Sequence, residues 1–108
     1  MANPEHVDIL KQGVEVWNRW RKKNLRVKPD LCHANLSGTK LYYNLNLAAA
    51  DLSGAELSDA KLIMADLAGA NLSGSDLCRV DLSAAALAGA TLSGAFLFGS
   101  KLTDADLT

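Results

Sequence analysis

The side chains of this 108-residue chain that could do chemistry are few: His6, His33, Cys32, Cys78, scattered carboxylates and recurrent Ser-Gly pairs. A zinc centre would need Cys and His at ligand spacing, and neither pair of residues provides it. The aspartates return at a fixed interval, so they decorate a repeat and do not gather into a local acid/base cluster. Ser53-Gly54, Ser73-Gly74 and Ser93-Gly94 read as corners; a nucleophile elbow needs Gly-x-Ser-x-Gly between a strand and a helix. Gly38, Gly54 and Gly74 recur too regularly for a phosphate-cradling loop. The serines at 53, 73 and 93 form too short a column to suggest ordered-water binding. The sequence therefore names no catalytic residue, no cofactor and no metal ligand, and it points away from an enzyme.

What the chain has instead is a leucine period. Leu31, Leu36, Leu41, Leu47, Leu52, Leu57, Leu62, Leu67, Leu72, Leu77, Leu82, Leu87, Leu92, Leu97, Leu102 and Leu107 follow one another at five-residue steps, with one six-residue step. In a helix that step would spiral the leucines around every face, and in a flat strand it would flip them to alternate sides. Sending the same residue inward at every fifth position requires a corner once per repeat, which is the signature of a solenoid.

The flanking residues sharpen this reading. Two places before each leucine sits a small residue, as at Ala50, Ala55, Ala60, Ala65 and Ala70, with Ser75 and Ser100 as variants. Immediately before it comes a polar one, often Asp or Asn. One large and one small inward residue per repeat fill a narrow tube without overpacking it. A-(D/N)-L-x-x, as in Ala65-Asp66-Leu67-Ala68-Gly69 and Ala70-Asn71-Leu72-Ser73-Gly74, resembles the pentapeptide-repeat family over residues 29 to 108. The resemblance implies an all-β solenoid, a right-handed quadrilateral parallel β-helix with one pentapeptide per side.

Side-chain recurrence agrees with four sides. Ala48, Ala68 and Ala88, and likewise Gly54, Gly74 and Gly94, are spaced by twenty residues, whereas a three-sided coil would show fifteen. Sixteen repeats then give about four coils, a tube only about 19 Å long. The six-residue step from Leu41 to Leu47 places a one-residue bulge at Asn44 and puts Leu45 in the small slot, pressed against the core. Cys32 and Cys78 fall on different sides and two coils apart, so they read as free thiols in a reducing, cytoplasmic setting.

Residues 1–28 are a separate unit, an N-terminal amphipathic helix and linker, ahead of the repeat domain at 29–108. Asn3 caps the helix with Pro4 at its first position. Val7, Leu10, Val14 and Trp17 follow at helical spacing, and Trp20 broadens the stripe. An open coil exposes leucines and unpaired backbone, so this single helix is expected to cap the first coil. Similar segments with a Trp-Asn-x-Trp-Arg run, here Trp17 to Arg21, precede the repeats in some members of the family. Its basic end, Arg19 to Lys23, also suits a membrane surface or a partner protein.

Charge divides along the same boundary. The first 28 residues carry seven basic and three acidic side chains, the remainder four basic and nine acidic. In the resembling family an acidic β-helix can mimic duplex DNA and bind type II topoisomerases. A 19 Å DNA segment carries about 11 charges, and a tube with a net charge of −5 falls well short of that.

Folding the repeats onto four sides brings Tyr42, Tyr43, Ile63 and Met64 together outside the first two coils, either as a partner surface or as support for the helix and bulge. Phe96 and Phe98 flank Leu97 on a neighbouring side. Leu92, Leu97, Leu102 and Leu107 present an apolar end, to be covered by a second copy stacked end to end or by further chain. Related proteins dimerise through their C-terminal coils, which favours a homodimer. The sequence thus reads as a non-enzymatic protein-binding or scaffolding module, with topoisomerase mimicry as the alternative. Its partner is an unidentified protein; direct nucleic-acid binding and a membrane span are not expected.

Overall fold

In the computed structural model, which describes residues 2–108, the leucine repeat winds into a stack of coils. Each polar residue ahead of a leucine forms a parallel bridge with its equivalent four repeats later. Asp51 pairs with Asn71 and Asn71 with Thr91, a step of 20 residues. Asp30, Asn35 and Lys40 instead pair with Asp51, Glu56 and Lys61, a step of 21 that spans the bulge. A corner follows every bridge, so no side extends into a longer strand.

The hydrogen bonds follow one rule per repeat. The leucine N–H donates to the polar residue's carbonyl in the next coil, as from Leu52 to Asn71 at 2.8 Å. The polar N–H donates to the small residue's carbonyl in the previous coil, as from Asn71 to Ala50 at 2.9 Å. The corner residue's N–H reaches the next coil, Gly54 to Ser73 at 2.8 Å, and the small residue closes the turn, Ala55 to Leu52 at 3.0 Å. The N–H of the residue just after leucine is left without a backbone acceptor. It donates instead to the Oδ1 of the Asp or Asn two places earlier, an Asx turn. Ser53 donates to Asp51 at 3.0 Å, Ala68 to Asp66 at 3.0 Å and Ser73 to Asn71 at 3.0 Å. Nine of the repeats are closed this way. Where Asp or Asn fills the polar slot, its side chain therefore serves the backbone at a partly exposed turn.

Each corner adopts positive φ in its second residue after leucine, from His33 at 62° to Asp104 at 58°. With the i to i+3 bond, this is the pattern of a type II turn. The bulge carries two such residues in succession, Tyr43 at φ 54° and Asn44 at φ 62°. They absorb the extra residue at the corner, which leaves Leu45 in the small slot, fully buried. Val80 occupies another small slot, also fully buried. Ser75 keeps its hydroxyl satisfied there by donating to the Leu72 carbonyl at 2.7 Å. The leucines from Leu31 to Leu87 line the axis and are buried; in the last coil Leu97 and Leu107 are exposed and Leu92 and Leu102 partly so.

The N-terminal unit contains two helices and not the single one expected, α1 (Pro4–Lys11) and α2 (Val14–Lys23). Asn3 caps α1 by accepting from the Glu5 N–H at 2.9 Å. The break comes at Gly13, whose φ of 109° and ψ of 171° no helix contains. The apolar spacing runs through the break, which is why the pattern alone reads as continuous. Leu10 and Trp17 are buried on the first coil, while Val7, Val14 and Trp20 are partly buried against it.

Two measurements check these readings. A Cβ at Gly13 meets nothing within 4 Å, so Gly13→Ala isolates the cost of its backbone conformation. Urea unfolding should show a loss of about 1–3 kcal/mol; an unchanged midpoint would mean that the glycine does not set the break. The Ser53 hydroxyl, followed by the Ser53 N–H, holds the Asp51 carboxyl below its ordinary 3.8, and the Ser83 hydroxyl does the same to Asp81. Their stabilising contribution is complete above that value and is lost as the pH falls below it. Asp51→Asn/Asp81→Asn retains the backbone acceptors, so its stability should fall less steeply between about pH 4 and pH 2.

Candidate interaction surface

The helices meet the tube through hydrogen bonds that imitate a coil. On the side headed by Asn46 there is no earlier coil to donate to its carbonyl. Trp17 Nε1 and Arg21 Nη1 do so at 2.6 Å and 3.1 Å. Arg21 Nη2 reaches the Ala48 carbonyl at 2.9 Å. Asn18 Oδ1 accepts from the Asn46 N–H at 2.8 Å, and its Nδ2 donates to the Asn44 carbonyl at 2.9 Å. Burial lowers the Arg21 pKa, while Asp66 nearby acts in the opposite direction.

On the side headed by Asp30 the same imitation comes from α1. The Asn3 N–H donates to the Asp30 carbonyl at 3.1 Å, and the Asp30 N–H donates to His6 Nδ1 at 2.9 Å. His6 is buried, its ring 4.9 Å from that of Trp20. Its role is thus an acceptor in the cap, with Nδ1 unprotonated. The run from Trp17 to Arg21 signals the cap in the sequence; nothing local identifies His6 or Asn18 as latches, because their partners lie 24 to 28 residues away.

The sides headed by Asn35 and Lys40 receive no such cover. Among the described residues, the backbone N–H and C=O of Asn35 and Lys40 make no protein hydrogen bond. Beside them lies a cleft of about 190 Å³ between the helix junction and the first coil, lined by Leu10, Lys11, Gly13, Leu36, Thr39, Lys40 and Leu41. The chain then rises into Tyr42 and Tyr43, whose rings are 5.4 Å apart and exposed. Beyond the bulge a second groove is lined by Asn18, Lys22, Asn44, Asn46, Met64 and Asp66. Met64 is exposed and Ile63 partly buried. Phe96 and Phe98 stand separately on the last coil, 62% and 80% exposed.

The other chemical groups are dispersed. Cys32 and Cys78 are free and partly buried; the Ser53 hydroxyl lies 3.3 Å from Cys32 Sγ. The Cys78 pKa is raised, chiefly by its hydrogen bond with Asp76. His33 lies across Gly54, where an added Cβ would strike its ring. Arg79 and Asp59 form an exposed ion pair at 2.8 Å that lowers the Asp59 pKa. Among the described residues no three His, Cys, Asp or Glu side chains converge as metal ligands, and no helix is long and apolar enough to cross a membrane.

Residues 43–79 and 80–108 match the family described as pentapeptide repeats, in eight copies. No curated protein matches the chain. Among solved structures it is similar to HetL, a pentapeptide repeat protein involved in heterocyst differentiation regulation in the cyanobacterium Nostoc. Identity is 36%, over 67% of this chain and 38% of HetL, with a TM-score of 0.40. A second pentapeptide repeat protein from Nostoc is 26% identical over 83% of this chain and 95% of its own, with a TM-score of 0.48. Rfr23 from the cyanobacterium Cyanothece is 29% identical over 68% and 57%, with a TM-score of 0.36.

The cap provides a direct test. Asn18→Ala removes one donor and one acceptor from the bulge, and chemical denaturation should show a loss of about 2 kcal/mol. A loss below about 0.5 kcal/mol would mean that water replaces the side chain and that the latch is dispensable.

Proposed function

Because the chain belongs to the pentapeptide-repeat family, whose members share a fold and not one activity, we propose that it is a non-enzymatic protein-binding or scaffolding module. In this reading its wall is the right-handed, four-sided winding of about four coils that the family resemblance implies. The observation that carries the proposal is the exposed apolar group Tyr42, Tyr43 and Met64 at the edge of the cap. Large exposed side chains gathered in one place mark interaction surfaces. Two adjacent tyrosines, their rings tilted by 31°, supply contact area with little rotamer entropy to lose.

The last coil supports a second contact. Leu97 and Leu107 are exposed there and Leu92 and Leu102 partly so, and a second copy stacked end to end in a homodimer would cover them. The unpaired thiols of Cys32 and Cys78 suit a reducing compartment such as the cytoplasm. Topoisomerase mimicry draws less support. Six of the nine repeat-domain carboxylates accept backbone N–H groups and a seventh pairs with Arg79, as expected of structural aspartates.

The test is affinity capture from native lysate with wild type and with Tyr42→Glu/Ile63→Glu, after circular dichroism has shown the variant folded. A partner held by wild type and lost by the variant is the expected outcome. Equal capture by both would move the working surface to Phe96 and Phe98. No capture by either would sink the binding reading.

A further inference from the structure

The cap completes the hydrogen bonding of two sides of the first coil and leaves the other two open. Asn46 and Asp30 receive partners from Trp17, Asn18, Arg21, His6 and Asn3. Asn35 and Lys40 keep free N–H and C=O groups on exposed residues. An unpaired edge of this kind is a template for another extended backbone. Next to it lies the cleft floored by Leu10, Leu36 and Leu41, about 190 Å³ in volume. An apolar cavity of about 150 Å³ is large enough for a benzene-sized group.

The charged side chains lining the cleft, Lys11 and Lys40, are both basic, while Glu56 stands in register with Asn35 on the neighbouring side. Lys40 stands in bridge register with Lys61. Like charges directly opposite each other destabilise a sheet. Asp81, the next residue of the column, lies beyond Lys61 and not beside Lys40. None of the three lysines has an ion-pair partner among the described residues. Tyr42 and Tyr43 bound the same edge.

From these features we propose that the Asn35–Lys40 edge binds an acidic segment of a partner protein that follows the edge around the corner at Gly38. The segment pairs its backbone with Asn35 and Lys40, places an aliphatic side chain in the Leu10–Leu36–Leu41 cleft and sets its carboxylates against Lys11, Lys40 and Lys61. This rests on the protein-binding reading and names the chemistry of the partner. A single-stranded nucleic acid would also meet lysines and tyrosines. It has no amide backbone to pair with the edge and no aliphatic group for the cleft.

The experiment uses the full chain and a capped Asp-Glu-Leu-Glu-Asp peptide, followed by amide-resolved NMR and hydrogen exchange. Binding should slow exchange at the Asn35 and Lys40 amides and shift Leu41 and Tyr42. N-methylation of the peptide's leucine should weaken binding roughly threefold or more, and leucine to serine roughly tenfold. Lys40→Glu/Lys61→Glu should weaken it roughly tenfold, and Tyr42→Ala/Tyr43→Ala serves as a second variant should that one not fold. No protection at Asn35 and Lys40, equal affinity for the N-methylated peptide, or tighter binding of a ten-residue oligothymidylate would overturn the assignment. If lysate capture through Tyr42 and Ile63 succeeds while the peptide gives no protection, this inference fails and the docking reading stands.

Discussion

In an inner coil each repeat contains five amide hydrogens, and the coil stack and its turns satisfy four of them. In nine repeats of the chain the fifth, on the residue after leucine, is accepted by Oδ1 of the Asp or Asn two places before it. That local bond gives the turn's spare donor an acceptor within the same repeat. Leucine fills the axis, a small residue fills the gap between leucines, and the polar residue closes the turn. An acidic wall follows as a by-product of turn closure, which is why the carboxylates do not converge into a site.

The same constraint explains the ends. A coil in the middle is completed by its neighbours, whereas the first coil has no predecessor. The cap substitutes side chains for missing backbone: Trp17, Asn18 and Arg21 on one side, Asn3 and His6 on another. Their distances to the Asn46 and Asp30 backbone, 2.6 to 3.1 Å, are those of ordinary hydrogen bonds. The bulge belongs to this arrangement. The positive φ values of Tyr43 and Asn44 take up the inserted residue at the corner, and the Asn44 carbonyl is held by Asn18. Two short helices can cover only part of a four-sided end, so the uncovered part is where unpaired backbone, a cleft and lysines coincide.

The architecture was legible because it is periodic and local. A leucine every five residues demands a corner per repeat, and a recurrence at twenty selects four repeats per turn. The extra residue near Asn44 shows as a slip of the register. Less legible was the helix break: the apolar spacing of Leu10, Val14 and Trp17 is continuous, while Gly13 acts through a backbone angle that spacing does not report. The role of the polar slot was hidden for a related reason. A recurring Asp or Asn states what is present at a position and not which donor it serves.

By itself, then, the sequence determined the repeat, its family and the residues that fill the tube, since each depends on contacts within one repeat or between identical repeats. Only the tertiary structure decided which carbonyls the cap would reach and which two sides it would leave open. It also decided which large apolar residues remain at the surface beside that gap. Those outcomes depend on where two helices come to rest on a coil some 25 residues away in sequence, and a distance fixed by packing leaves no periodic trace in the chain.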